Sequence, residues 1–228
     1  VLWGERDVIP VNTLAAFDVP AAAPWVNVRH GAPVLASETR AVAASLPWDD
    51  ADPTPLVLVS YSTVSEQRSP EKLQRTLDAL ADLPVHVVVT TGGIVEPDEL
   101  DAPANAYLMS FADHGPLLDR AALLMGPGGH GTTMRCLAQG VPLVLSAAKA
   151  LDQAGTCATV QEWGAGCALH ADADAAGIRA TVQDVLADPA YREEARRRAT
   201  ALAGLNGAAL AADSYEALLA PALARAGM

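Results

Sequence analysis

"LLMGPGGHGTTMRCLAQGVPLV", residues Leu123 to Val144, sets a glycine-rich turn between an apolar run and a helix-like stretch that leads to a second apolar run. A strand that is apolar throughout, ends in glycines and enters a helix is one step of a parallel α/β sheet. Parallel strands need crossovers, and helices then bury both of their faces. Gly128 and Gly129 can take positive φ and let backbone approach a ligand closely, while Thr132 and Thr133 offer hydroxyls and amides at the start of the next helix. Taken alone, the G-G-x-G-T-T turn reads either as a diphosphate cradle or as a structural tight turn.

The same alternation extends on both sides of this stretch. Strand candidates are "LVLVSYS" (56–62), "VHVVVTTG" (85–92), "AYLMSF" (106–111), "ALLMG" (122–126), "PLVLS" (142–146) and "CALH" (167–170), with helix candidates near 70–82, 131–140, 152–164 and 174–187. Six strands joined by crossovers predict an α/β fold, a Rossmann-like doubly wound parallel sheet. The proline-rich first fifty residues read as an extended connection with turns. The tail reads as two amphipathic helices broken around Gly204 to Gly207. The expected organisation is a lead-in over 1–50, a ligand-binding domain over 51–206 and a final helix over 207–228.

Composition narrows the function classes. Half of the 228 residues are hydrophobic (51%), but only 4% are aromatic, so the core should be small and aliphatic. A formal charge of −12 argues against a nucleic-acid binder, because such affinity rests on Lys and Arg neutralising phosphates. One small anion could still bind at a helix N-terminus. Cys136, Cys157 and Cys167 have neither CxxC spacing nor an even count, which suggests neither a zinc site nor a disulfide framework and fits a reducing cytoplasm. No apolar run reaches the roughly 18 residues of a membrane helix, and "VLWGERDVIP" lacks the pattern of a signal peptide. Without an initiator methionine the chain reads as a fragment or a processed product.

In open α/β sheets, ligands sit at the carboxyl ends of strands. After the first strand, "SYSTV" places Ser60, Ser62 and Thr63 there, either as phosphate contacts or as a polar turn. After the fifth, Asp152 and Gln153 could hold sugar hydroxyls, although Asp152 is equally a good helix N-cap. His130 lies inside the turn as a phosphate contact or an exposed residue. His30, His86 and His170 have no ligand spacing and make no metal site. "REEARRR" reads as a solvated helix face.

The run "GPGGHGTTMRCLAQGVPLVLSAAKALDQAGTCATVQEWGAGCAL", with "VLADPAYREEARRRATALA" after it, resembles the donor-binding half of family 1 GT-B glycosyltransferases, which include plant UDP-sugar transferases and bacterial antibiotic glycosyltransferases. The resemblance covers about residues 20 to 226. It implies the C-terminal half of a GT-B fold that binds a UDP- or dTDP-sugar as donor substrate, with no cofactor and no metal. Ser62 and Thr63 match the family's first phosphate-side turn, and Gly128, Gly129, Gly131, Thr132 and Thr133 match its diphosphate loop. Phe111, Ala112 and His114 match the segment lining the nucleobase pocket. Asp152 and Gln153 match the pair that holds the sugar.

Two positions depart from the pattern. Pro127 stands where the family usually has a phosphate-contacting histidine, and it supplies neither a side-chain donor nor an amide. That loss would cost about 1.5 to 3 kcal/mol, roughly ten- to a hundredfold in affinity. Asp113 replaces a proline near the base pocket and adds negative charge there. The resemblance implies inverting transfer of a sugar to a small natural-product acceptor. It places no catalytic residue in this chain, since the family's histidine base belongs to an N-terminal acceptor-binding domain that would be the chain's partner; neither nucleic acid nor membrane is expected as one. Alternatives are a degenerate, non-catalytic GT-B-like module, or a nucleotide-sugar epimerase or hydrolase.

Overall fold

The computed structural model describes residues 8–18, 27–35, 45–61, 68–147 and 151–226, with side chains over 153–220 of the last stretch. The chain divides into two units, Val1–Ala36 with Leu202–Met228, and Ser37–Ala201.

The larger unit contains six strands that pair in parallel throughout. In chain order after two short strands of the smaller unit, they are β3 (Leu56–Ser60), β4 (His86–Thr90), β5 (Ala106–Met109), β6 (Ala121–Gly126), β7 (Leu143–Leu145) and β8 (Gly166–Ala168), arranged β5-β4-β3-β6-β7-β8. The chain builds outward from β3 to β5, then returns to lay β6 on the other side of β3. This reversal makes the β3/β6 boundary the switch point where a doubly wound sheet leaves a crevice. All five residues of β3 are buried, which is why "LVLVS" shows no polar alternation.

Helices cover both faces. Pro70 opens α1 (Pro70–Leu80), where its missing N–H costs no hydrogen bond, and Leu73, Leu77 and Leu80 recur at helical spacing on the buried face. They pack with Val57, Val59, Val87, Met125 and the Ile178, Val182 and Val185 of α5 (Ala175–Ala187) in one core layer. Asp174 starts α5 by accepting the Gly177 amide at 2.8 Å. Between these lie α3 (His130–Ala138) and α4 (Leu151–Glu162), and α6 (Pro189–Leu202) follows.

One helix was not expected. α2 (His114–Arg120) occupies a stretch outside the helix candidates, because seven residues give too little periodicity and Gly115 and Pro116 weaken a helical pattern. Proline in the first helical turn forfeits no intrahelical bond, and the Asp113 carboxylate accepts the Gly115 amide at 2.9 Å as N-cap.

In the smaller unit, β1 (Ile9–Val11) and β2 (Val28–His30) pair in parallel inside what the sequence presents as extended connection. Strands of three residues, one carrying Pro10, leave no pattern to read. His30 Nε2 lies 2.7 Å from Asp18 Oδ2. The last helix, α7 (Gly207–Ala226), begins where Gly207 comes so close to the Ala32 carbonyl that a Cβ would stand 2.2 Å from its oxygen. Tyr215, Leu218 and Leu219 of α7 are exposed. Among the described residues, no helix is long and apolar enough to cross a membrane.

Candidate functional site at the carboxyl edge of the sheet

The glycine turn stands where the sequence predicts it, between β6 and α3. Gly128 has φ +87°, and a Cβ there would lie 2.9 Å from Cys157 Sγ of α4. The turn therefore rests directly on α4. By contrast, among the described residues nothing lies within 4 Å of where a Cβ would stand on Gly129 or Gly131, which leaves the outer side of the turn open toward a ligand. Gly129 is the N-cap of α3 and makes no side-chain cap hydrogen bond. A helix N-terminus whose N-cap residue brings no side chain presents partial positive charge and amide donors to an anion. His130 and Thr132 are half-buried in the first turn of α3, whereas Thr133 is buried.

A second group gathers past β3, β4 and β5. Phe111, just beyond β5, is 66% exposed, a large value for an aromatic ring. Its ring lies over Gly93, where φ is +71° and a Cβ would meet Phe111 Cε2 at 2.7 Å. The amides of Thr91 and Gly92 donate to the Met109 and Ser110 carbonyls at 3.0 and 2.9 Å, fastening the two strand ends together. Ala112 and His114 are half-buried beside them. His114 Nε2 lies 3.4 Å from Ser60 Oγ and 3.2 Å from Thr90 Oγ1, both of which are buried hydroxyls. Ser60 thus turns toward the histidine, and Thr90 is a member of the site that the sequence reading overlooked. Only the register Ser60↔Thr90 between β3 and β4 brings the two hydroxyls together.

Gln153 is buried in α4, with its carbonyl 3.4 Å from the Gly128 Cβ position. Ser62 and Thr63 fall outside the described residues, as does the side chain of Asp152. Asp113, expected to add charge at the base pocket, is engaged as the cap of α2. Burial pushes the Cys157 thiol up, so it sits beneath the turn as a neutral packing group.

A lysine also reaches this edge. Lys72 of α1 is half-buried and donates to the Ser146 carbonyl at 3.1 Å. In the sequence it looks like an ordinary solvent-facing residue of a first helical turn, and nothing local marks it.

With this geometry in place, comparison with known proteins is informative. Residues 74–211 match the family described as "Erythromycin biosynthesis protein CIII-like, C-terminal domain". The chain is 32% identical over 189 residues to a PGL/p-HBAD biosynthesis glycosyltransferase of Mycobacterium tuberculosis (strain ATCC 25177 / H37Ra), spanning 81% of this chain and 42% of that protein. It is 31% identical over 173 residues to demethyllactenocin mycarosyltransferase of Streptomyces fradiae, spanning 75% of this chain and 37% of that one. It matches the crystal structure of CalG4, the calicheamicin glycosyltransferase, with a TM-score of 0.78 at 29% identity, over 94% of this chain and 52% of that chain. This chain therefore spans about half, or less, of the length of the proteins it matches.

Proposed function

Because the chain belongs to the erythromycin biosynthesis protein CIII-like C-terminal domain family, whose relatives here are glycosyltransferases, we propose that it is the nucleotide-sugar-binding half of an inverting glycosyltransferase acting on a small natural-product acceptor. The observation that carries this reading is the open outer side of the turn before the glycine-started N-terminus of α3, at the switch point of the sheet. A diphosphate seated there meets amide donors and the positive end of a helix dipole, which stabilise it further as it departs with the sugar's bonding electrons. Exposed Phe111 offers its face to the base. Asp152 and Gln153 orient the sugar so that the acceptor oxygen attacks in line. This chemistry calls on no metal and no cofactor from the chain. Deprotonation of the acceptor falls to a base outside these 228 residues, so the chain alone binds donor without transferring it.

Calorimetric titration with UDP and dTDP, in parallel with a Pro127→His variant, tests the reading. Binding by the parent chain supports a working donor site and identifies its preferred base. Binding by the variant alone would leave the fold-based reading in place with the natural site impaired at one contact. Silence from both would favour the non-catalytic module, a second reading motivated by Pro127, which has neither imidazole nor amide at the turn.

A further inference from the structure

A lysine in the first turn of a helix ordinarily opposes the helix dipole and extends into water. Lys72 turns inward instead. Its Nζ donates to the Ser146 carbonyl at 3.1 Å and lies 5.4 Å from the centre of the Tyr61 ring. Tyr61 follows β3 and Ser146 follows β7, so this one side chain reaches past β6, the strand that delivers the glycine turn. The Ser146 amide in turn donates to the Gly126 carbonyl at 2.9 Å, and Gly126 precedes Pro127. The ammonium is therefore one hydrogen-bonded residue away from the turn. A cavity of about 10 Å³, lined by Tyr61, Lys72, Arg75, Ser146 and His170 among others, lies beside it.

Among the described residues the charge at this place has no carboxylate within ion-pair distance. An ammonium has three donors, and Ser146 takes one. Among the described residues, no ion pair involves Lys72. The groups facing it are Tyr61 beyond β3, Arg75 on its own helix, Cys157 of α4, and His170 and Asp172 beyond β8. Arg75 is a second cation, and its buried Nε has no hydrogen-bond partner. In a chain of net charge −12, two part-buried cations share the carboxyl edge, and among the described residues the Asp172 carboxylate acts on Lys72 without forming an ion pair with it. Such an arrangement carries a desolvation cost that an arriving anion would offset.

We propose that Lys72 supplies the positive charge that holds the donor diphosphate from beneath the glycine turn, at a site where Pro127 offers neither an amide nor an imidazole. The inference rests on the donor-binding reading above. The ammonium keeps the Ser146 carbonyl and directs its remaining donors to phosphate oxygen. Burial first, and Arg75 second, hold the Lys72 pKa below its ordinary value. The cation is accordingly lost as pH rises through that lowered pKa, and diphosphate affinity falls with it.

The test titrates the 228-residue chain, Lys72→Met and Lys72→Arg with UDP and dTDP, and with uridine and thymidine, from pH 7 to 10 and at two salt concentrations. Lys72→Met is expected to weaken diphosphate binding about tenfold and flatten its salt and pH dependence, with nucleoside binding changed less than about twofold. Lys72→Arg should keep most of the affinity. Equal weakening toward diphosphates and nucleosides, or no weakening, overturns the inference while leaving the donor reading intact. If the parent chain binds no nucleoside diphosphate, it is the donor reading that fails. Should Lys72→Met not fold, Lys72→Gln takes its place, and the same two outcomes, selective weakening toward diphosphates or its absence, decide.

Discussion

The two glycines of the turn separate architecture from ligand space. Gly128 takes positive φ against Cys157, so Gly128→Ala meets both a disfavoured backbone and a clash. It should lose about 2 kcal/mol or more, seen as a lowered midpoint in urea unfolding, together with ligand binding. Gly129 has φ −61° and open space at its Cβ position, so Gly129→Ala should leave stability within about 0.5 kcal/mol. Any loss it produces should appear in nucleoside diphosphate affinity alone, because the added methyl enters the space where the ligand approaches. Phe111 has the same logic with a different chemistry. Its ring is mostly exposed, so Phe111→Ala should hardly change the melting temperature. If the ring stacks on the base, the variant should lose about 1 to 3 kcal/mol of affinity for UDP or dTDP in calorimetry. Unchanged affinity would remove Phe111 from the site.

Elements show which features a linear pattern can reveal. β3 and β4 are legible because strands buried on both faces read as unbroken apolar runs, and α1 and α5 because a four- then three-residue spacing of aliphatic side chains holds over two turns. The glycine turn is legible because strand, glycines and helix start are contiguous. Thr90 and Lys72 were not, since each joins the site only through the order in which strands lie side by side. α2 was missed because it is too short for periodicity and its cap looks like a misplaced charge. Asp113→Ala should therefore destabilise the chain by about 1 kcal/mol by thermal unfolding, while Asp113→Asn keeps the cap and most of the stability. The segment entering β3 is clamped at the opposite edge of the sheet. Trp48 stacks on His86 with ring centres 4.1 Å apart, and Asp52 Oδ2 lies 2.9 Å from His86 Nε2. The hydrogen bonds from His86 and Thr54 hold the Asp52 pKa down to about 2 from its ordinary 3.8. A carboxylate with a depressed pKa stabilises the fold above its unfolded value and ceases to do so as pH falls through the folded one. The difference in melting temperature between the parent chain and Asp52→Asn should shrink as pH is lowered from about 5 toward 2, as a pH series of melting curves would show.

At the scale of the whole molecule, the strong negative charge is compatible with the proposed anion site, which would draw on backbone dipoles and one inward lysine rather than on a basic surface. The sheet order has one more consequence. Half of the carboxyl edge, ending at Phe111, comes from the run β3 to β5, and the other half, beginning with the glycine turn, from the run β6 to β8. Neither run contains a whole site, and the two meet only where β6 docks on β3, Val57 to Val59 against Leu123 to Met125. A ligand spanning that seam recognises only chains in which both runs have docked. Its stabilisation therefore grows with concentration over its dissociation constant and acts on the complete sheet rather than on either half. A cut between Phe111 and Ala121 should yield two pieces that are each silent toward nucleotide, and recovery of binding on mixing would report, without any optical label, that strands from separate polypeptides had found their register.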